Sequence, residues 1–290
     1  MNLFRFCSGL KVLGYFMILL VFAVVGVSYY AVVVSTWWPI LIEGGHGALS
    51  VLAALIIFVF HFLLIMLLWS YFITVFTDPG SVPEQFRREL GDENLEAGTS
   101  TERGAFGSLG YCPRCRNVKP PRCHHCSVCQ RCVLKMDHHC VWIVNCVGAR
   151  NYKFFLLFLL YTFLETMLDV IVLLPSFIKF FSEAMKHSAS PGNLASLVLA
   201  FVLNVAFVLS LLCFVVMHIS LLSTNTTSVE VHEKTGEGRW KYDLGKKKNF
   251  EQVFGKKKAF WLLPLYSKED LDNMTSLQGL EFPTRSDIDP

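Results

Sequence analysis

The chain has 290 residues, of which 53% are hydrophobic and only 17% charged, with a formal net charge of +3. Ordinary soluble domains carry about 25% charged residues, so an average cytosolic globule is excluded. The 25 Phe and 6 Trp exclude disorder for most of the chain, and 19 Gly with 11 Pro exclude a collagenous fibre.

Residues 1–11 form a short tail with Arg5 and Lys11. Region 12–76 holds two long apolar stretches, about Val12–Val34 and Leu49–Phe76. A helix needs roughly 20 apolar residues to cross a bilayer, and both qualify. The first run is too long for a signal peptide, and no small-residue cleavage site follows it. Tyr29, Tyr30, Trp37 and Trp38 follow instead and read as an interfacial belt. Cys7 lies beside the membrane, where a tail thiol or an acylated one fits. Residues 77–110 read as a linker, opening with Asp78-Pro79-Gly80 and then acidic and Gly/Ser/Thr-rich. A cysteine-rich segment occupies 111–153. Region 154–222 holds two more spans, about Phe154–Leu174 and Leu194–Leu222, and residues 223–290 form a polar tail.

All but two of the 26 Lys and Arg lie in the N-terminal tail, in residues 77–153 or after residue 222. Segment Ser35–Ala48 has none, and Pro175–Asn193 has only Lys179 and Lys186. By the positive-inside rule, both termini and the central segment face the cytosol. The expected fold is an all-α polytopic membrane protein, with four transmembrane helices and a cytosolic two-zinc domain between the second and third. The small net charge gives no reason to expect nucleic acid as a partner.

Eight of the ten cysteines and four of the nine histidines fall between residues 112 and 146. A cytosolic segment is reducing, which favours zinc over disulfides. Cys112, Cys115, His125 and Cys132 have the spacing C-x2-C-x9-H-x6-C, and a shift of 14 residues gives Cys126, Cys129, His139 and Cys146 with identical gaps. Each set is three thiolates and one imidazole, the donor set of a tetrahedral structural zinc site. The sets interlock, because the second begins before the first ends. His124, beside His125, could substitute for it, but a neighbour of a ligand histidine is more often a supporting or surface group.

Cys140 is left over. Shifted back by 14 it corresponds to Cys126, yet position 143 is Ile, so no third metal site follows. Cys140 therefore reads as a free thiol beside Asp137 and His138. His138 can take the thiol proton, and Asp137 can hold the imidazole in the needed tautomer. Cys123 is also unassigned, has no adjacent acid and reads as a spare thiol. Cys213 reads as a core thiol.

The run from Cys112 to Phe155 resembles the cysteine-rich domain of the DHHC protein S-acyltransferases, with Asp137-His138-His139-Cys140 as the motif. Asp78-Pro79-Gly80 resembles that family's DPG motif. Asn225–Glu230 resembles its TTxE motif, with Ser228 replacing the second Thr, and Asn249–Gly255 resembles its C-terminal aromatic motif. Val141 stands where the family often has Pro. The resemblance covers about residues 5–265. It implies a membrane enzyme, resident in the Golgi or alternatively in the ER, plasma membrane or another endomembrane, that moves a palmitoyl group from acyl-CoA to cysteines of membrane-associated proteins. Cys140 would be the nucleophile, His138 the base and Asp137 its polarising acid. An acyl-enzyme then passes its group to a second thiol in ping-pong fashion, so no ATP is needed. Palmitoyl-CoA is the co-substrate, and the two zinc ions, with all four positions filled, are structural.

An acyl tail needs an apolar slot, which the helical bundle could supply. Trp142 could wall its entrance or anchor at the interface, and Phe155, Phe158, Ser228 and Asn249 are further candidates for the cavity or for support of the site. Glu165 and Asp169 lie four apart, hence on one helix face. Glu165 either limits acyl length or makes an interhelical hydrogen bond, with His61 either its candidate partner or a buried histidine with hydrogen bonds of its own. Lys246–Lys248 and Lys256–Lys258 fit attraction to anionic lipid better than contact with CoA phosphates. A non-enzymatic scaffold and a metal transporter are the rival readings. The complete Asp137, His138 and Cys140 set weighs against the first. The second would want its Cys and His inside the spans, and the cysteine cluster lies outside them.

Overall fold

A computed structural model describes residues 3–43, 47–84, 110–184, 191–232 and 240–287. Most of the Gly/Ser/Thr-rich linker and the side chain of Cys7 lie outside the described residues. Helix α1 (Leu3–Tyr29) runs through a π-helical stretch, Tyr30–Trp37, into α2 (Trp38–Glu43). It is followed by α3 (Ala48–Phe76), α4 (Tyr152–Ala184) and α5 (Pro191–Ser223). Among the described residues, four helical stretches are long and apolar enough to cross a membrane: Leu13–Glu43, Ala48–Phe76, Tyr152–Phe180 and Ala195–Ser223. The chain is thus a multi-pass membrane protein.

Two boundaries differ from expectation. Segment Ser35–Ala48 was expected to be a loop, yet it is helical through Glu43. Trp37, Trp38 and Ile40–Ile42 keep it apolar, and Pro39 lies inside the continuous helical stretch just after the π-helical turns, a local adjustment that membrane helices tolerate. Pro175 was expected to end the third span but lies inside α4, which continues to Ala184. Proline interrupts membrane helices less than soluble ones, because local backbone adjustment and neighbouring helices meet the freed carbonyl.

The chain divides into two compact units. The first comprises Phe16–Ser70 and Leu156–Met217. Its core gathers Val32, Val33, Phe60, Val172 and Leu173, with Ala53 and Ala200 as fully buried small residues. Small residues let helix backbones approach closely where lipid offers no hydrophobic drive. Phe177 stacks on Phe201 with centroids 4.0 Å apart. Leu19 and Phe58, about 70% exposed, face outward as lipid-contacting residues do. Within this unit Asn204 Nδ2 donates to Ser28 Oγ at 2.9 Å, and both lie beside buried Asp169. His61 is not the partner of Glu165. Its Nδ1 lies 2.7 Å from the Ile57 carbonyl one turn back, and its Nε2 is 3.4 Å from Tyr29 Oη.

The second unit comprises Met1–Tyr15, Tyr71–Phe155 and His218–Pro290. It is organised by three antiparallel hairpins: β1 (Gly110–Cys112) with β2 (Asn117–Lys119), β3 (His124–Cys126) with β4 (Arg131–Val133), and β5 (His138–Cys140) with β6 (Asn145–Val147). Each begins 14 residues after the last, so the sequence repeat is a structural one. Arg116, Gln130 and Val144, also 14 apart, close the three turns in the left-handed region.

The Asp78-Pro79-Gly80 turn clasps these hairpins. Leu134 N–H donates to the Gly80 carbonyl at 3.0 Å, and Arg150 N–H to the Pro79 carbonyl at 3.2 Å. Gly148 is required here, since a Cβ would meet the Pro79 carbonyl at 2.7 Å. Arg131 donates to Asp78 at 2.7 Å. Beyond α5 the chain forms α6 (Lys246–Phe254), α7 (Lys268–Asn273) and α8 (Thr275–Gln278).

Candidate active site and metal centres

The hairpin pattern explains both metal sets. A turn carries the C-x2-C pair, and the next hairpin supplies a His and a Cys that face each other across its two strands. His125 pairs with Cys132, and His139 with Cys146, in direct register. The first set is therefore Cys112 and Cys115 with His125 and Cys132, and the second Cys126 and Cys129 with His139 and Cys146. In each, the ligand atoms lie within 4.8 Å of one another.

The donor spacings fit a tetrahedral zinc ion. Zn–S bonds of about 2.3 Å and Zn–N bonds of about 2.0 Å require ligand atoms roughly 3.5–3.8 Å apart. In the second set, His139 Nδ1 lies 3.7, 3.4 and 3.6 Å from the sulfurs of Cys126, Cys129 and Cys146. The first set gives 3.6 Å between Cys132 and Cys115 sulfurs and 3.2 Å from Cys115 to His125 Nδ1. The turns also point amides at sulfur: Cys115 N–H to Cys112 Sγ at 3.4 Å, and Cys129 N–H to Cys126 Sγ at 3.3 Å. Such bonds favour the thiolate that a metal needs.

The third hairpin is built on the same plan with its metal half removed. Cys140 occupies the place of Cys112 and Cys126, while Ile143, fully buried, fills that of Cys115 and Cys129. Successive strand residues point to opposite faces. In the strand His138-His139-Cys140, the central His139 therefore turns to the metal, and His138 and Cys140 share the other face. Asn145, opposite Cys140, donates to the Val75 and Thr77 carbonyls at 3.1 and 3.0 Å, fastening the hairpin to the end of α3. Tyr71 Oη donates to the Trp142 carbonyl at 3.1 Å and holds the turn.

His138 Nδ1 lies 2.7 Å from Asp137 Oδ2. Asp137 is buried, its other oxygen accepts from Ser228 N–H at 2.9 Å, and its carbonyl accepts from Ser228 Oγ at 2.5 Å. Burial opposes charge on His138, but the bonds from Asp137 and Cys140 outweigh it and raise the imidazole to about 9. Burial likewise opposes the Asp137 carboxylate, yet the His138 and Ser228 contacts hold it below its ordinary value. With Nδ1 committed to Asp137, the other ring nitrogen is left for the Cys140 thiol. Cys123 differs: burial pushes its thiol up to about 12.

Phe155 packs edge-on to His138, centroids 5.2 Å apart. Sequence reasoning missed two neighbours. His218 lies 6.1 Å from the His138 ring and 5.2 Å from Phe155, and Tyr152 Oη is 3.2 Å from His218 Nδ1. A histidine 80 positions from His138, near the end of an apolar helix, gives no local signal.

Ser228 is brought to the site, whereas Asn249 bonds elsewhere, to the Ser223 carbonyl, Asp243 and Leu244 N–H. Phe158 and Glu165 belong to the other unit. There the Phe158 carbonyl accepts from Thr162 Oγ1, and both Glu165 oxygens are buried without a hydrogen bond among the described residues.

A buried ion pair lies beside the Ser228 contact. Arg122 binds Glu230 in bidentate fashion at 2.6 and 2.7 Å, and donates to the Asn225 side chain and carbonyl. Glu230 also accepts from Thr227 N–H at 2.9 Å, next to Ser228.

A family model described as DHHC palmitoyltransferase matches residues 105–235. The chain is 90% identical, over the full length of both, to Probable protein S-acyltransferase 12 of Arabidopsis thaliana. It is 55% identical to Probable protein S-acyltransferase 14 of the same plant, across 99% of this chain and 96% of that one. It is 36% identical to Palmitoyltransferase ZDHHC15A of Danio rerio, across 89% of this chain and 83% of that one.

Proposed function

The chain belongs to the DHHC palmitoyltransferase family and is a protein S-acyltransferase, and on that footing we propose that it carries a palmitoyl group from acyl-CoA to protein thiols through an acyl-enzyme on Cys140. The observation that carries the reading is the Asp137–His138 bond at 2.7 Å on the same strand face as Cys140. His138 takes the Cys140 proton, and the thiolate attacks the thioester carbonyl. A new thioester forms on Cys140, the bond to CoA sulfur breaks, and the proton returns to the leaving thiolate. The acceptor thiol then repeats the exchange in reverse. Asp137 fixes the ring tautomer, and Ser228 fixes Asp137. The zinc ions, when bound, cross-link the hairpins and set the orientation of β5. Membrane-associated proteins with cytosolic cysteines are the substrates.

Both termini and residues 77–153 face the cytosol on the Lys and Arg distribution. The Golgi is the compartment the family resemblance suggests. A C-terminal fluorescent tag, imaged beside a Golgi marker and challenged with protease in sealed vesicles, tests both. Glu165 limits acyl length: a buried carboxyl lacking a hydrogen bond is a polar stop for a hydrocarbon chain.

The purified protein, incubated with labelled acyl-CoAs of graded length, should acquire a label that hydroxylamine removes. A scaffold acquires none. Glu165→Leu should keep self-acylation and shift the preference among chain lengths. Unchanged preference with lower thermal stability would leave Glu165 a packing group.

A further inference from the structure

Two lysine triplets, Lys246–Lys248 and Lys256–Lys258, play no part in the chemistry above, and all six side chains are exposed. Only Lys257 has a carboxylate partner among the described residues, Glu269 at 2.9 Å. Between and beside them stands a cluster of half-buried rings. Phe250 and Phe254 stack with centroids 6.2 Å apart, and Trp261 lies 5.6 Å from Phe254 and 6.3 Å from Phe250. Leu262, next in sequence, is 61% exposed. Half-buried rings beside an exposed leucine, framed by cations, are the composition of a membrane-interface element.

The element is tied to the ends of two membrane spans. Lys153, in the first turn of α4, is fully buried, and its ammonium donates to the Phe254, Phe260 and Leu265 carbonyls at 3.4, 2.9 and 2.7 Å. Asn249 Nδ2 donates at 2.8 Å to the carbonyl of Ser223, the last residue of α5. The lysines and rings are thereby held beside the ends of α4 and α5. They are also pre-organised. Gly255 has φ +87°, and a Cβ there would meet Asp270 Oδ2 at 2.6 Å. Asp270 Oδ1 accepts from Lys256 N–H at 3.0 Å, and Trp261 Nε1 donates to the Gly255 carbonyl at 2.9 Å.

We infer that this surface docks on an anionic lipid headgroup layer, its rings entering the interface and its lysines binding the charged headgroups. Charge complementarity and continuity with the spans select a membrane surface over a soluble partner. Each lysine near an anionic surface strengthens attachment by about fivefold at low salt. The inference does not depend on the acyl-transfer reading.

The test is hydrogen exchange of residues 246–262 in the full chain, in nanodiscs of phosphatidylcholine alone or doped with phosphatidylserine. Exchange should slow by about tenfold or more in the doped discs, the combined effect of several lysines, and high salt should reverse this. Changing Lys246–Lys248, Lys256 and Lys258 to Gln should remove the difference, with both zinc ions retained as proof of fold. Equal exchange in the two discs would overturn the inference. So would protection in neutral discs on adding free CoA or inorganic phosphate, which would assign the lysines to soluble phosphates.

Discussion

Cys146→Ser should lower bound zinc from about two ions to about one per chain and loosen the third hairpin. Cys146 is fully buried, faces His139 across the strands, and lies 3.5 Å from the sulfur of Cys129. Losing it opens one coordination position and removes the link that orients β5. Cys140→Ser, six residues away, should keep both ions and the fold yet form no acyl-enzyme, because a hydroxyl is a far weaker nucleophile than a thiolate. His138→Ala should also keep both ions and slow acylation by about 10²–10⁴. Zinc by mass spectrometry, beside a labelled acyl-CoA assay, separates the variants. Loss of a zinc ion from Cys140→Ser would mean the hairpin assignment is wrong.

Glu230→Ala should cost about 3–5 kcal/mol, because it leaves the Arg122 guanidinium buried without its counter-charge. The two side chains are 1% and 2% exposed, so solvent does little to screen the loss. Arg122 also lies over the rings of Tyr242 and Phe282, at 4.7 and 5.0 Å, and cannot withdraw to water without unpacking them. The effect should reach the chemistry, since Glu230 accepts from Thr227 N–H beside the Ser228 contact to Asp137.

The pair also predicts a pH dependence. Burial opposes the Glu230 carboxylate, but Arg122 holds it below its ordinary 4.5. An acid depressed in the fold contributes stability above its unfolded value, and that contribution fades as pH falls through the folded one. Denaturant titration should show the contribution intact above about pH 4.5 and absent in Glu230→Gln at every pH. A Glu230→Ala cost under about 1 kcal/mol would refute the argument.

The spans and both metal sets were readable because each rests on local pattern: apolar length for the first, a 14-residue repeat for the second. The same repeat identified Cys140 as a displaced ligand position. It did not show that the third hairpin is complete, with Ile143 plugging the vacated place. Strand alternation then explains why His138 and Cys140 share a face. Contacts across the chain left no such trace. Arg122 and Glu230 are 108 residues apart, and the placement of His218 depends on how α5 ends. Of the two readings of His61, the structure shows the hydrogen-bonded histidine and not the Glu165 partner, because periodicity gives a helix face, not the neighbour it meets. The third apolar run stops near Leu174, but the helix itself continues past Pro175 to Ala184, because the membrane setting tolerates a proline there.

Intact-mass spectrometry of the purified protein, after a brief pulse of palmitoyl-CoA and before any acceptor is added, is the sharpest test of transfer through Cys140. The expected result is one hydroxylamine-labile palmitoyl group per chain, mapped by peptide sequencing to Cys140, with both zinc ions still bound. An enzyme that acylates its acceptor without ever carrying the group, or one that carries it on Cys123, would contradict it.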